Sequence, residues 1–227
     1  MKKRPVDIIC SALCFAITPF FFISASALIP CLFNFFYYFW IDPLKIPQTS
    51  GFTKPQIIEA FNDVMNFIWR GAEFKTGELA YTKEEEMHFA DCKPLFHLQL
   101  ILFLVTGVLL LSYFILLKVK VLRKARFKGI SPMAYSGALT IALLLGIGIF
   151  ALVDFDKLFT IFHQIAFPGK ENWLFDPETE QIILILPESF FMACAIFIIG
   201  MVILLSTVSI VLGIIFKDKK IMKEKEA

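Results

Sequence analysis

HLQLILFLVTGVLLLSYFILL, residues His97–Leu117, runs for 21 positions without an Asp, Glu, Lys or Arg. A helix needs roughly 20 apolar residues to cross a hydrocarbon core of about 30 Å, so this stretch reads as a membrane span. Runs over about 6–28, 132–153 and 189–216 have similar length and uncharged middles. The 227 residues are 58% hydrophobic, include 27 phenylalanines and have a mean hydropathy of +0.73. These values exclude an ordinary soluble domain. The expected fold class is an all-α polytopic membrane protein: four transmembrane helices with a small extracellular α+β cap.

Cations set the expected orientation, because Lys and Arg flanking a span resist translocation. Lys2, Lys3 and Arg4 precede the first span, Lys118, Lys120, Arg123, Lys124, Arg126 and Lys128 fill the second-to-third connection, and Lys217, Lys219, Lys220, Lys223 and Lys225 follow the fourth. Fourteen of the 22 cations thus lie at alternate ends, whereas 29–96 and 154–188 hold 16 of the 20 acidic residues and all three histidines. The predicted organisation is TM helix 1 with a cytoplasmic N-terminus (1–30), an extracellular cap (31–95), TM helix 2 (96–118), a basic cytoplasmic loop (119–130), TM helix 3 (131–153), an extracellular loop with an interfacial helix (154–188), TM helix 4 (189–216) and a cytoplasmic tail (217–227). The basic residues are ordinary inside anchors, so no nucleic-acid partner is implied. The Lys-Lys-Arg start resembles a signal sequence, but Pro30 stands where cleavage needs a small residue and Phe33–Trp40 continues apolar, so an uncleaved anchor is expected. Five cysteines, three of them inside spans, do not form a disulfide framework.

In the cap, Thr53 and Gln56 form a capping-box pattern, and Ile57, Ile58, Phe61, Val64, Met65 and Ile68 repeat at helical spacing until Gly71. The aromatic run 33–40 is rich in strand formers or extends the first helix, and 77–82 is read as short and extended. A second capping box, Thr82 and Glu85, starts a helix carrying EEEMHFADCK, residues 84–93, which Pro94 should end or kink. On it His88 shares a face with Glu84, Glu85, Asp91 and Cys92, so carboxylates are expected to orient the imidazole and raise its pKa. In the other outer connection Phe155, Leu158, Phe159, Phe162 and Ile165 mark an interfacial helix ending before Pro168-Gly169, with His163 on its flank and Trp173 beyond it.

A lone histidine near a membrane surface is more often structural than catalytic. His97 reads as an interfacial residue and Glu84–Glu86 as a solvated first turn. Cys92 is a poor nucleophile because neighbouring carboxylates raise a thiol pKa. A zinc site from His88, Cys92 and His163 lacks supporting ligand spacing. No G-x-S-x-G, P-loop or dinucleotide motif occurs. A channel or transporter would carry ionisable groups within its spans, and none has one at its centre.

Nearly the whole chain resembles the lipoprotein intramolecular transacylase family of bacterial membrane proteins. Glu85-x-x-His88-x-x-Asp91-x-Lys93 is similar to that family's first histidine motif. Phe162-His163 with Phe167, Asn172-Trp173 and Phe175, then ILILPESFF at 183–191, is similar to the second. Where Cys92 stands the family carries an aliphatic residue, which further weakens a thiol mechanism. The resemblance implies movement of the sn-2 acyl chain of a diacylglyceryl lipoprotein to the α-amine of its N-terminal cysteine, giving the lyso-form. It implies His88 and His163 as catalytic, Glu85, Asp91, Lys93 and Trp173 as supporting, and no metal or other cofactor; the carboxylates beside His88 then assign His163 as the base and His88 as the acid or oxyanion stabiliser, with the reverse order as the alternative. Partners would be a diacylated lipoprotein and membrane lipid, the oligomeric state open with a monomer compatible, and the location the bacterial cell membrane with both termini cytoplasmic and the site on the extracellular face. An interfacial ester hydrolase and a non-catalytic four-span accessory protein are the alternatives.

Overall fold

The structure is a computed structural model that describes residues 4–216. Lys2, Lys3 and the cations of the predicted tail, 217–227, lie outside the described residues. The described residues form α1 (Pro5–Leu32), α2 (Asn34–Ile41), α3 (Ile46–Ser50), α4 (Lys54–Arg70), α5 (Lys83–Lys118), α6 (Pro132–Val153), α7 (Phe155–Ala166), α8 (Ile182–Ile185) and α9 (Glu188–Ile215). Of these, α1, α5, α6 and α9 are long and apolar enough to cross a membrane. The protein is a multi-pass membrane protein.

The α+β expectation for the cap is overturned, since the described residues contain no strand, only an isolated bridge between Phe127 and Ile130. The strand-forming aromatics 33–40 make α2 instead. One face of that helix is buried, where the Tyr37 ring stacks on Phe61 at 4.0 Å and its hydroxyl donates to the Ile185 carbonyl at 2.6 Å. Burial on a helical face outweighs the intrinsic β preference of aromatic residues, which is at most about 1 kcal/mol per position. The stretch 77–82 is turn and loop rather than extended strand. Pro94 does not end its helix either, because α5 continues through it to Lys118. At 1.5 Å per residue its 36 residues give about 54 Å, so the charged turns at 83–93 are surplus to the apolar run that spans.

The chain divides into two compact units, 27–99 with 149–196, and 1–26 with 100–148 and 197–227. In the first, Ile41, Ile46, Ile57, Ala60, Ile182 and Ile185 are completely buried, and α8 packs on α3 and α4. Thr53 and Gln56 form the expected capping box of α4, and Gly71 closes it with φ 67°, a left-handed position that suits glycine. The Trp69 indole donates to the Cys31 carbonyl at 2.9 Å and faces the rings of Phe96 and His97.

In the second unit, Asp7 pairs with Arg4 at 2.8 Å and accepts the Arg123 amide at 3.0 Å. Ser11 and Tyr113 are hydrogen-bonded at 3.2 Å, and the Ser136 hydroxyl donates to the Phe15 carbonyl at 2.8 Å. Small residues bring α6 and α9 together. A Cβ on Gly137 would lie 2.9 Å from the Ser206 carbonyl oxygen, and one on Gly213 would lie 2.4 Å from the Ala134 Cβ. Gly146 has open space around it.

Gly213→Ala and Gly137→Ala should therefore each destabilise the detergent-solubilised protein, by about 1–3 kcal/mol as for overpacked cores. Gly146→Ala, which only gains helix propensity, should not. Thermal unfolding of the three variants checks this, and equal melting temperatures for all of them would contradict the close approach.

Candidate active site

Within the unit 27–99 with 149–196, the first turns of α5 and the end of α7 carry the two motif histidines. Thr82 caps α5, its hydroxyl accepting the Glu85 amide at 3.3 Å while donating to Glu180. Only this half of the expected capping box forms: the Glu85 side chain does not return to the cap but is fully buried, 0% exposed, with no hydrogen-bond partner among the described residues. In α7, Asp154 accepts the Lys157 amide as N-cap and the helix stops at Phe167, just before Pro168, as the sequence predicts.

His88 and His163 meet, with ring centroids 5.9 Å apart. They are 6% and 7% exposed. Phe167 and Phe175 present their edges or faces to His88 at 5.0 and 5.3 Å. Trp173 stacks on His163 at 4.7 Å and Phe159 lies 4.1 Å from it. The Trp173 indole is held by the Lys170 carbonyl at 3.0 Å.

The segment that supplies these rings is tied down in two places. Lys170 forms a 2.5 Å ion pair with Asp91, and the Asn172 amide donates to the other Asp91 oxygen at 3.1 Å. Farther on, the Gln181 amide donates to the Ala80 carbonyl at 3.1 Å and the Ala80 amide to the Gln181 side chain at 2.8 Å. Glu180 accepts both the Thr82 hydroxyl and the Asp176 amide, at 2.5 and 2.9 Å. Neither Lys170 nor Glu180 stood out in the sequence, because a salt bridge between residues 79 positions apart has no periodicity to betray it.

Electrostatics reverse one expectation. His88 is pushed down to about 4, by burial first and then by His163, with Asp91 only partly opposing. The predicted rise fails because its carboxylates are not available to stabilise an imidazolium. Asp91 is occupied: burial disfavours its charge, yet Lys170 and Asn172 hold it below the ordinary carboxylate range. Glu85 is pushed up to about 8, by burial and then by the charge of Glu180, and is a neutral acid at pH 7. Burial also lowers His163, against the opposing effect of its hydrogen bond to Phe159. Both imidazoles are neutral.

The His163 tautomer can be read from its partner. His163 Nδ1 lies 2.8 Å from the Phe159 carbonyl oxygen, which can only accept, so Nδ1 holds the proton and Nε2 keeps its lone pair. His88 Nε2 is 3.5 Å from Cys92 Sγ. Burial, and then Asp91, push that thiol up to about 12, so it remains a weak S–H donor rather than a nucleophile. His88 Nδ1 is buried without a partner among the described residues, as is Asn172 Oδ1.

Of the residues expected at the site, His88, His163, Asp91 and Trp173 assemble and Glu85 lies one turn before His88, buried. Lys93 does not join them: its ammonium sits 3.3 Å above the Phe67 ring of α4. Among the described residues, no three His, Cys, Asp or Glu side chains are grouped so that they could hold a metal ion.

Four spans and a pair of dry, facing imidazoles define a multi-pass membrane protein with a site at the end of its membrane helices. A family model for the lipoprotein intramolecular transacylase Lit matches residues 12–191. The chain belongs to that family, and so to the membrane transferases that process lipoproteins. The membrane-integral lipoprotein intramolecular transacylase Lit from Bacillus cereus is similar in fold, with a TM-score of 0.81 at 23% identity, covering 97% of this chain and 98% of that one. Structures of that protein with one histidine replaced by arginine or by alanine each give a TM-score of 0.74 at 23% identity over 97% of this chain, covering 94% and 96% of theirs. No curated protein matches the chain.

Opposed pKa directions make the site pH-sensitive. Glu85 is raised, so between its ordinary value of 4.5 and about 8 the folded state holds a proton that the unfolded chain releases, and stability falls as pH rises through that window. His88 is lowered, so stability falls as pH drops from 6.5 towards about 4. Melting temperatures of Glu85→Gln from pH 5 to 9 should lose the alkaline decline of the wild type while keeping the acid one. A wild-type curve that is flat above pH 6 would contradict a buried neutral Glu85.

Proposed function

We propose that the protein transfers the sn-2 acyl chain of an S-diacylglyceryl lipoprotein to the α-amine of the same N-terminal cysteine, with His163 as proton acceptor and His88 as hydrogen-bond donor to the carbonyl oxygen. The observation that carries this is the buried 5.9 Å approach of two imidazoles whose hydrogen bonds leave Nε2 of His163 and Nδ1 of His88 for a substrate. In the reaction the amine nitrogen attacks the ester carbonyl through a ring of about eight atoms, whose closure is favoured by confinement. A C–N bond forms. His163 Nε2 takes the ammonium proton of the adduct, His88 Nδ1–H bonds the oxyanion, and His163 returns the proton to the glyceryl oxygen as the C–O bond breaks. The product is an N-acyl, lyso-glyceryl lipoprotein.

Neutral imidazoles suit this sequence of steps. A free α-amine has a pKa of about 7.7–8.0, so roughly a tenth is unprotonated at pH 7, and entry into a dry site lowers that pKa further. The attack therefore begins with neutral amine, and the proton becomes acidic only after the C–N bond forms. His88 serves as an uncharged donor instead of the imidazolium expected from its carboxylate neighbours. In this reading Asn172 Oδ1, buried without a partner while its amide end is anchored on Asp91, accepts from the amine, which makes Asn172 and Asp91 positioning residues. Glu85 as a neutral acid adds no charge to perturb them. The proposal uses no metal or other cofactor, since an ester becomes a more stable amide without an activated donor.

The orientation that fits this reading puts 31–95 and 154–188 on the extracellular side and both termini in the cytoplasm, as the cation distribution implies. The aromatic lining favours transfer over hydrolysis, because rings that cover the imidazoles also exclude water.

Co-expression with a reporter lipoprotein and mass spectrometry of its N-terminal lipopeptide tests the proposal. Wild type should convert S-diacylglyceryl to the N-acyl, S-lyso form with no change in total acyl count. His88→Ala and His163→Ala should each lower conversion by about 10²–10⁴-fold, the usual worth of a positioned acid–base group. Loss of an acyl chain as free fatty acid would instead identify a hydrolase, and unaltered conversion in both variants would remove the histidines from the mechanism.

A further inference from the structure

The unit formed by 1–26, 100–148 and 197–227 contains a cavity of about 790 Å³ that the transacylase site does not use. It lies beside the connection between α5 and α6. Lys118, Lys120, Lys124 and Arg126 line it, and among the described residues no acidic side chain does. The nearest buried acid on α1, Asp7, is already neutralised by Arg4. The rest of the wall is apolar, including Phe114, Leu117 and Leu212. Phe114 and Leu212 are about half exposed on helices that cross the bilayer, so the cavity has a lipid-facing side.

Inside anchoring accounts for cations at this end of the spans but not for their convergence on one cavity. Two further features coincide at it. Lys120 adopts a left-handed backbone with φ 63°, where the helix C-terminus would favour glycine, while Leu122 donates back to the Leu116 carbonyl at 3.0 Å. Lysine accepts that strain at a position lining the cavity. Ser209 also lines it, is 7% exposed, and its buried hydroxyl has no hydrogen-bond partner among the described residues. Elsewhere in the spans Thr18, Ser26 and Thr140 return their hydroxyls to the carbonyl four residues earlier, at 2.7, 2.7 and 2.9 Å, while the Ser206 hydroxyl, one turn before Ser209, is likewise buried without a partner among the described residues. Arg126 reaches the Phe216 and Gly129 carbonyls and so ties the connection to the end of α9, closing one wall.

We propose that this cavity binds an anionic phospholipid, its phosphate held among Lys118, Lys120 and Lys124, its glycerol ester oxygens met by Ser209, and one acyl chain laid along Phe114, Leu117 and Leu212. A zwitterionic lipid carries its own cation into the basic rim and is disfavoured. Free phosphate matches the rim but leaves the apolar wall unfilled.

The test is native mass spectrometry of the full-length protein in detergent, titrated with dioleoyl phosphatidylglycerol, dioleoyl phosphatidylcholine or inorganic phosphate. The phosphatidylglycerol adduct should persist where the phosphatidylcholine adduct is lost, and millimolar phosphate should not displace it. Lys120→Gly should weaken the adduct by about fivefold, the worth of one lysine at an anionic headgroup, without lowering the melting temperature, because glycine relaxes the backbone. Ser209→Ala should weaken it too. Lys128→Gln, in the same connection but with its ammonium over the Phe127 ring rather than lining the cavity, should leave it unchanged. Equal retention of phosphatidylcholine, displacement by phosphate, or equal weakening by Lys128→Gln and Lys120→Gly would each overturn the site.

Discussion

Two imidazoles held 5.9 Å apart and out of water constrain everything around them. A single protonated histidine in such a place loses its hydration, and a second one adds repulsion, so both rings stay neutral and each must find its hydrogen bonds locally. His163 does so through the carbonyl one turn back in α7, and His88 through the Cys92 thiol one turn ahead in α5. Aromatic rings fill the remaining space. The ties at Asp91, Ala80 and Thr82 then hold the post-α7 segment against α5, because without them the cage would open to solvent.

Charge in this region is segregated by pairing rather than by distance. Asp91 keeps its charge because Lys170 and Asn172 saturate it, whereas Glu85, which has no such partner, is neutral. A run that looks acidic along the sequence thus sets one paired carboxylate, Asp91, and one neutral, unpartnered acid, Glu85, beside the histidines. This arrangement suits acyl transfer between two neutral functional groups, an amine and an ester, better than it suits a step needing a standing charge.

The spans and α4 were legible because each is encoded locally: about 20 apolar residues for a crossing, and a capping box plus helical spacing for α4. The histidine pair was legible in outline, from two outer segments that each set a histidine among aromatics and from the resemblance of its two motifs, but residues 88 and 163 do not themselves report their contact. The cap strands were misread because 33–40 has β-forming composition, whereas burial of Tyr37 and Phe36 in a helical face decides its form. The direction of the His88 shift was misread for a similar reason. Helical spacing shows that Glu85 and Asp91 share its face, but not that one is buried and protonated and the other bridged to a lysine 79 residues away. Lys93 followed the motif in sequence but left it in space, drawn to the face of Phe67. Local order and composition survive reading from the chain; long-range pairing and the dielectric it creates do not.

The central claim is that both site histidines are uncharged in the folded protein at neutral pH, with the His163 proton on Nδ1. With only three histidines in the chain, ¹⁵N imidazole NMR of the full-length protein can be assigned by single substitution. The account predicts, at pH 7, a protonated Nδ1 and a bare Nε2 for His163, and a His88 ring that stays neutral well below pH 6. An imidazolium signal from His88 at pH 7, or a proton on His163 Nε2, would contradict it.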